Sequence, residues 1–363
     1  MKIIIASKQY PYYGGSATNA YKLIKFLRTK HDVIGLYFNN NSHINVDPDN
    51  LGNIFKTSHN SHIKMPTCNS ILQEIFNYFN SDPDMILCFN YYVPIICKNM
   101  FPKSKIVYMV VGSPTLTMGE NSCVNNNISA VKFLTFKDYN QFIDVKLAEL
   151  EKKSIECSDF ILVDHGELPL RIIKKICNNQ LRNKKYCYYD YSGLILKQEI
   201  NNNNYDKLEK KYDIIIIASN WNRIVKNKVF YKKLLLQYSN LNKIIIGANS
   251  NYFDKIPNTT LVDLIDYEQV LRYLRESKLL LICSYFESGP NIIIESIYNN
   301  CQVLTSKNVG KSYFLHDYNL TDDVYDINEW IIKINYILAN PQLKLPNVDY
   351  KEDKFFDILS KIM

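Results

Sequence analysis

The 363-residue chain has no C-x-x-C pair and no cysteine–histidine group at zinc spacing, although it carries nine cysteines. An odd count spread from Cys68 to Cys301 argues against a closed disulfide framework or a zinc module and fits buried, reduced thiols. No stretch approaches the roughly 20 apolar residues that a membrane-crossing helix needs. The opening MKIIIASKQYPYYGG has an apolar segment only from Ile3 to Ala6, too short for the core of a signal peptide. These absences predict a cytoplasmic protein in a reducing compartment.

Long blocks of one charge are also missing. The net charge of +7 is spread through helices and loops, so no dedicated nucleic-acid surface is expected. Lys22, Lys25, Arg28 and Lys30 make part of the first helix basic, which leaves peripheral membrane contact open, although a solvated face explains them more simply. No acidic cluster has metal-site spacing. The two Asp-Pro-Asp stretches, Asp47 to Asp49 and Asp82 to Asp84, lie in a polar loop and at the start of a strand. What remains is ordinary globular composition, 47% hydrophobic and 22% charged, in a chain long enough for two domains. The 28 tyrosines accompany an excess of Asn, Ile and Lys that reads as nucleotide bias in the coding sequence.

Short apolar runs alternate with helical patterns almost throughout, which predicts βα units and mostly parallel sheets. KIIIAS, DVIGLYF, DMILCFN, KIVYMVV and DFILVD read as strands of a first series. The polar tract KQEINNNNYDKLEKK, around residues 198–211, lacks an apolar face and reads as a linker. A second series follows through YDIIIIAS, KIIIGA, TTLVDLI, KLLLICS and QVLTS. The expected organisation is an N-terminal domain over 1–200, a C-terminal domain over 201–340, and a segment over 341–363 that is open to returning to the first domain. A ligand cleft between the domains is expected at strand C-terminal ends.

The segment SYFESGPNIIIESIYNN, residues 284–300, sits at such an end. Glu287 follows the strand KLLLICS. Gly289 permits the turn, and Pro290 suits a first helical position because its missing N–H would be unpaired there. A helix from about Pro290 would aim the N–H groups of Asn291 and Ile292 at an anion such as a diphosphate, with Glu295 on its second turn. Glu287 and Glu295 could then bracket a ligand with a sugar on each side of a diphosphate. The spacing alone carries little, since Glu268 and Glu276 show it too, in what reads as an amphipathic helix with solvated charges.

With Ser284, Glu287 and Glu295 in place, the chain resembles the retaining glycosyltransferases of the group-one or family-four type, whose signature is Glu-x7-Glu after a strand. NNCQVLTS and LIDYEQVLRYLRESKLLLICS continue the resemblance, which is close in the C-terminal half and looser in the N-terminal half. It implies an α/β fold of the GT-B type, two doubly wound Rossmann-like domains facing each other across a cleft. It also implies transfer of a sugar from a nucleotide-sugar donor to a hydroxyl of a carbohydrate or glycoconjugate acceptor, with retained configuration and no cofactor. The first Glu would contact the donor sugar and the second the nucleotide ribose. Gly14 and Gly15 stand where the family has a donor-facing Gly-Gly loop; alone they are equally a tight turn. Arg223 and Lys226, in ASNWNRIVKN, would hold the diphosphate and offset charge on the leaving group without a metal ion.

The chain departs from the pattern in two places. Three positions separate Arg223 from Lys226 where the family usually has about five. A His expected after KIVYMVV is replaced by Gly112 and Ser113, while His165 lies in another loop. The second departure keeps an alternative open, a non-catalytic nucleotide-sugar or glycan-binding protein on the same fold. A nicotinamide dehydrogenase fits the alternating pattern, but the G-x-G-x-x-G fingerprint is absent.

Overall fold

The computed structural model describes residues 1–7, 15–37, 54–56, 69–110, 145–164, 166–176, 185–201, 208–348 and 350–363. The chain divides into two compact units. The first gathers the described residues of Met1–Thr117, Asp144–Ile195 and Lys351–Met363; the second is built mainly from Leu196–Tyr350.

In unit 1 the strands are β1 (Lys2–Ser7), β2 (Asp32–Tyr37), β3 (Ile54–Lys56), β4 (Met85–Phe89), β5 (Lys105–Val110), β6 (Phe160–Val163) and β7 (Lys185–Tyr188). They form one sheet in the order β3-β2-β1-β4-β5-β6-β7, every neighbouring pair parallel. Ile3, Ile4, Ile5 and Ala6 are all fully buried, as are Met85 to Phe89. Continuous apolar strands of this kind belong to a parallel sheet covered on both faces. The connecting helices are α1 (Gly15–Leu27), α2 (Asn69–Phe79), α3 (Val93–Met100), α4 (Val145–Cys157) and α5 (Glu167–Ile176). Then α6 (Tyr191–Asn201) enters the expected linker, so its first residues are helical and the sequence reading is corrected there.

Unit 2 has β8 (Tyr212–Asn220), β9 (Lys243–Ala248), β10 (Thr259–Val262), β11 (Ser277–Ile282), β12 (Gln302–Ser306) and β13 (Leu320–Thr321). Their order is β10-β9-β8-β11-β12-β13, again all parallel. The helices are α7 (Lys228–Leu236), α8 (Tyr267–Arg275), α9 (Ile292–Tyr298) and α10 (Ile327–Ala339). Both units are therefore doubly wound, as the alternation of apolar runs predicts. The chain order reverses between β8 and β11, the position at which such sheets bind ligands beyond their strand C-termini. The last helix, α11 (Glu352–Ile362), belongs to unit 1, where Phe355 stacks on Tyr189 at 5.3 Å and Phe356 on Phe26 at 5.2 Å.

The end of β8 is fixed by close backbone approach. The β8–β9 register shifts between Ile217 and Asn220, and Gly247 of β9 has φ 131°. A Cβ on Gly247 would overlap the carbonyl oxygen of Ala218, so only glycine lets the strands meet there. Beside it, the buried Trp221 donates its indole N–H to the Ile246 carbonyl at 3.1 Å.

The pair Glu268 and Glu276 separates on folding. Glu268 is exposed as expected, but Glu276 is buried at the C-terminus of α8, correcting the reading of a solvated charge. Its carboxylate accepts from Lys211 Nζ at 3.0 Å and Arg272 Nε at 3.2 Å. Burial pushes its pKa up, but the bonds and charges of Lys211 and Arg272 outweigh that, and the net shift is downward.

Two outcomes are expected. Gly247→Ala should destabilise the protein by about 2–3 kcal/mol through backbone strain and overlap, seen as an earlier urea midpoint. A group with a lowered folded pKa contributes stability that is present above its unfolded value and lost as pH falls through the folded one. Glu276→Gln should therefore be less stable than wild type at pH 7, and the difference should shrink progressively as pH falls below the ordinary glutamate range, in paired denaturation curves.

Candidate functional site

The site grows from the C-terminal ends of β8 and β11. After β8, Ile224–Lys226 make one 3₁₀ turn, and Asn227 closes it in the left-handed region at φ 57°. Asparagine tolerates that conformation, and the Asn227 side chain donates to the Cys283 carbonyl at 3.0 Å. Tyr231, one turn into α7, donates its hydroxyl to the Leu281 carbonyl at 2.9 Å and accepts from the Cys283 N–H at 2.8 Å. The Tyr285 N–H reaches the Val225 carbonyl at 3.0 Å. Burial, and then the neighbouring Cys283, push the Tyr231 hydroxyl well above the usual range, so it stays a neutral clamp.

These bonds bring Lys226 and Glu287 into an ion pair between Nζ and Oε1, although 61 residues separate them in sequence. The Ser284 hydroxyl donates to the same oxygen at 3.3 Å. The two side chains are only 16% and 17% exposed, which makes the pair less screened than one on the surface. The arrangement sets one cation and one acceptor carboxylate side by side at the sheet's switch point.

A third loop supports the pair from behind. Glu287 bridges to Val309, its carbonyl accepts from the Gly310 N–H at 2.8 Å, and its own N–H points to the Asn308 carbonyl at 3.4 Å. Gly310 lies so close that a Cβ would overlap the Ser288 carbonyl oxygen. Next to it Lys311, fully buried and left-handed at φ 65°, donates to Asn291 Oδ1 at 2.9 Å. Sequence reasoning missed this support. The available signal was NVGK directly after QVLTS, a glycine and a lysine in a loop at the same sheet edge.

The other expected residues fall as follows. Gly289 and Pro290 form the turn, but α9 begins at Ile292, with Asn291 before it and an Ile293 N–H to Pro290 carbonyl bond of 3.2 Å. The helix has seven residues, so Glu295 lies on its first turn, not its second. Glu295 is buried, and its carbonyl accepts from the Asn299 side chain at 2.7 Å. Arg223 is exposed at the start of the 3₁₀ turn, where its carbonyl accepts from the Lys226 N–H at 3.1 Å. Gly15 is the first residue of α1. Gly14, Gly112, Ser113 and His165 lie outside the described residues. Among the described residues no group of His, Cys, Asp and Glu side chains could hold a metal ion, and no helix is long and apolar enough to cross a membrane.

No protein-family model matches the chain, and no protein of curated function matches it by sequence. Solved structures do match. Sucrose-phosphate synthase from Thermosynechococcus elongatus is 12% identical with a TM-score of 0.64, over 94% of this chain and 91% of that one. Anabaena HepE, solved in complex with UDP-glucose, is 12% identical with a TM-score of 0.62, over 99% and 100%. WaaG, a glycosyltransferase involved in lipopolysaccharide biosynthesis, is 13% identical with a TM-score of 0.58, over 99% of each chain. Across nearly its whole length, the chain has the two-unit, Rossmann-like α/β fold of GT-B glycosyltransferases.

Proposed function

We propose that the chain is a nucleotide-sugar-dependent glycosyltransferase acting on a hydroxyl of a carbohydrate or glycoconjugate acceptor, with retained anomeric configuration and without a metal ion. The observation that carries the reading is the Lys226–Glu287 pair at the ends of β8 and β11. A diphosphate needs a cation at such a place, and a sugar with adjacent hydroxyls needs an acceptor beside it; one ion pair supplies both. Complexes of a protein of the same fold with UDP-glucose, and with UDP and glucose, support a donor of this class.

In this reading Lys226 and the exposed Arg223 take the diphosphate, Glu287 takes the donor sugar, and Gly289, Pro290, Asn291 and Ile292 shape the turn beside it. Glu295 is assigned to the nucleotide ribose, and Gly14 and Gly15 to donor binding. The acceptor hydroxyl attacks the anomeric carbon on the face from which the nucleoside diphosphate departs. The bond from that carbon to phosphate oxygen breaks, a bond to acceptor oxygen forms, and the proton passes to the departing phosphate. Lys226 offsets the charge that grows on the leaving oxygen, the largest electrostatic demand of the step. No side chain serves as nucleophile.

The test is incubation with a panel of nucleotide sugars and glycan acceptors, following nucleoside diphosphate release and product configuration by NMR, with and without a chelator. Donor binding with neither transfer nor hydrolysis would instead assign a binding protein. Lys226→Ala and Glu287→Ala are each expected to lower turnover by about 10²–10³-fold, the effect of deleting one preorganised electrostatic partner. Unchanged rates in both would end the proposal. Gly310→Ala should also lower turnover by displacing the Ser288 carbonyl and with it the neighbouring Glu287.

A further inference from the structure

We infer that Glu287 is a specificity-determining residue that holds Lys226 against free diphosphates and gives it up only when a sugar arrives with the diphosphate. The inference rests on the function proposed above and concerns how the same two side chains distinguish a complete donor from a spent one.

Among the described residues Lys226 has Glu287 as its one charged partner, and Ser284 adds a neutral hydroxyl to the same carboxylate oxygen. Any phosphate that takes the ammonium must draw it from the carboxylate. The carboxylate then faces an anion at close range, at a place where each side chain is less than a fifth exposed. An ionised carboxylate only accepts hydrogen bonds, and so does a fully ionised diphosphate, so neither can satisfy the other. Leaving a nearly buried carboxylate without its charge partner is costly. A sugar hydroxyl changes that balance, because it donates. With a complete nucleotide sugar the ion pair is exchanged for two new interactions, phosphate to Lys226 and sugar hydroxyls to Glu287. After transfer the hydroxyl donors leave with the product, Glu287 recovers Lys226, and the nucleoside diphosphate is displaced.

The geometry of the supporting loop favours such an exchange. Glu287 is held through its backbone by Asn308 and Gly310, and Lys226 through the turn closed by Asn227, so the side chains can change partners while both backbones stay fixed.

Calorimetry on the full chain tests this with inorganic pyrophosphate as the probe, which needs no knowledge of the donor base. Glu287→Ala and Glu287→Gln should both bind pyrophosphate about tenfold more tightly than wild type, the size expected when one charge-assisted bond no longer has to be given up. Two variants are used because Gln could add a bond of its own while Ala cannot, and melting curves confirm that each is folded. Lys226→Met should abolish the gain in either background. For whichever nucleotide sugar binds wild type, the same Glu287 variants should bind more weakly. Equal or weaker pyrophosphate binding by both Glu287 variants, with Lys226 still required, would overturn the exchange and leave the donor site standing. Pyrophosphate binding that is indifferent to Lys226→Met would overturn the donor site itself.

Discussion

The Lys226–Glu287 ion pair depends on two neighbouring parallel strands ending together. Because β8 and β11 pair in register, with Ile214 against Leu279 and Ile215 against Leu280, the loops that follow them leave the sheet side by side. Asn227 and Tyr231 then tie the two exits through Cys283, and Trp221 with Gly247 fixes the end of β8. Each tie joins backbone to a rigid or buried side chain. The charged groups stand on a frame that has little freedom to drift, which is what an electrostatic site requires if its dipoles are not to reorganise during a reaction.

Unit 2 buries several charges, and their partners separate structure from site. Lys243 donates to the carbonyls of Tyr238 and Leu241, both at 2.6 Å, and burial lowers its pKa. Its work is finished at the end of α7, where it satisfies groups of the helix and its following turn. Glu276 is matched by two cations at the opposite edge of the sheet, before β11 begins. Lys311, by contrast, is bonded to a residue of the turn that follows Glu287 and occupies a backbone conformation that disfavours any side chain with a Cβ. Burying an ammonium in a left-handed loop is expensive, and the expense falls where the proposed donor would lie.

The fold was readable from the sequence where the signal was local. Isoleucine-rich runs bounded by helical patterns gave the principal strands of both sheets, since strands covered on both faces must be apolar at every position. The short edge strands β3, β7 and β13 lacked that signal. β7 reads Lys-Tyr-Cys-Tyr and is mostly exposed, so its sequence has no apolar run to mark it. The polar tract read as a linker begins inside α6, because a helix end needs no apolar face once its earlier turns, with Tyr191, Leu194 and Ile195, are buried. The placement of Glu287 after β11 followed from the strand and the Gly-Pro turn. Its pairing with Lys226 did not, because nothing local marks a contact across 61 residues.

Two kinds of constraint therefore act on this chain at different scales. A parallel sheet demands volume and β-branched shape, and many residues meet that demand; cores tolerate exchange among hydrophobic side chains if total volume is kept. The same fold at 12–13% identity is compatible with such tolerance. The exits of the strands are constrained differently. Gly247 and Gly310 are fixed by overlap with a facing carbonyl, and Asn227 by its backbone angle together with the carbonyl it caps. None of these can be replaced by a residue of similar volume without moving the loops that carry Lys226 and Glu287. Resemblance in the strands thus says little about chemistry, while the few positions that hold the strand exits decide whether the charges meet.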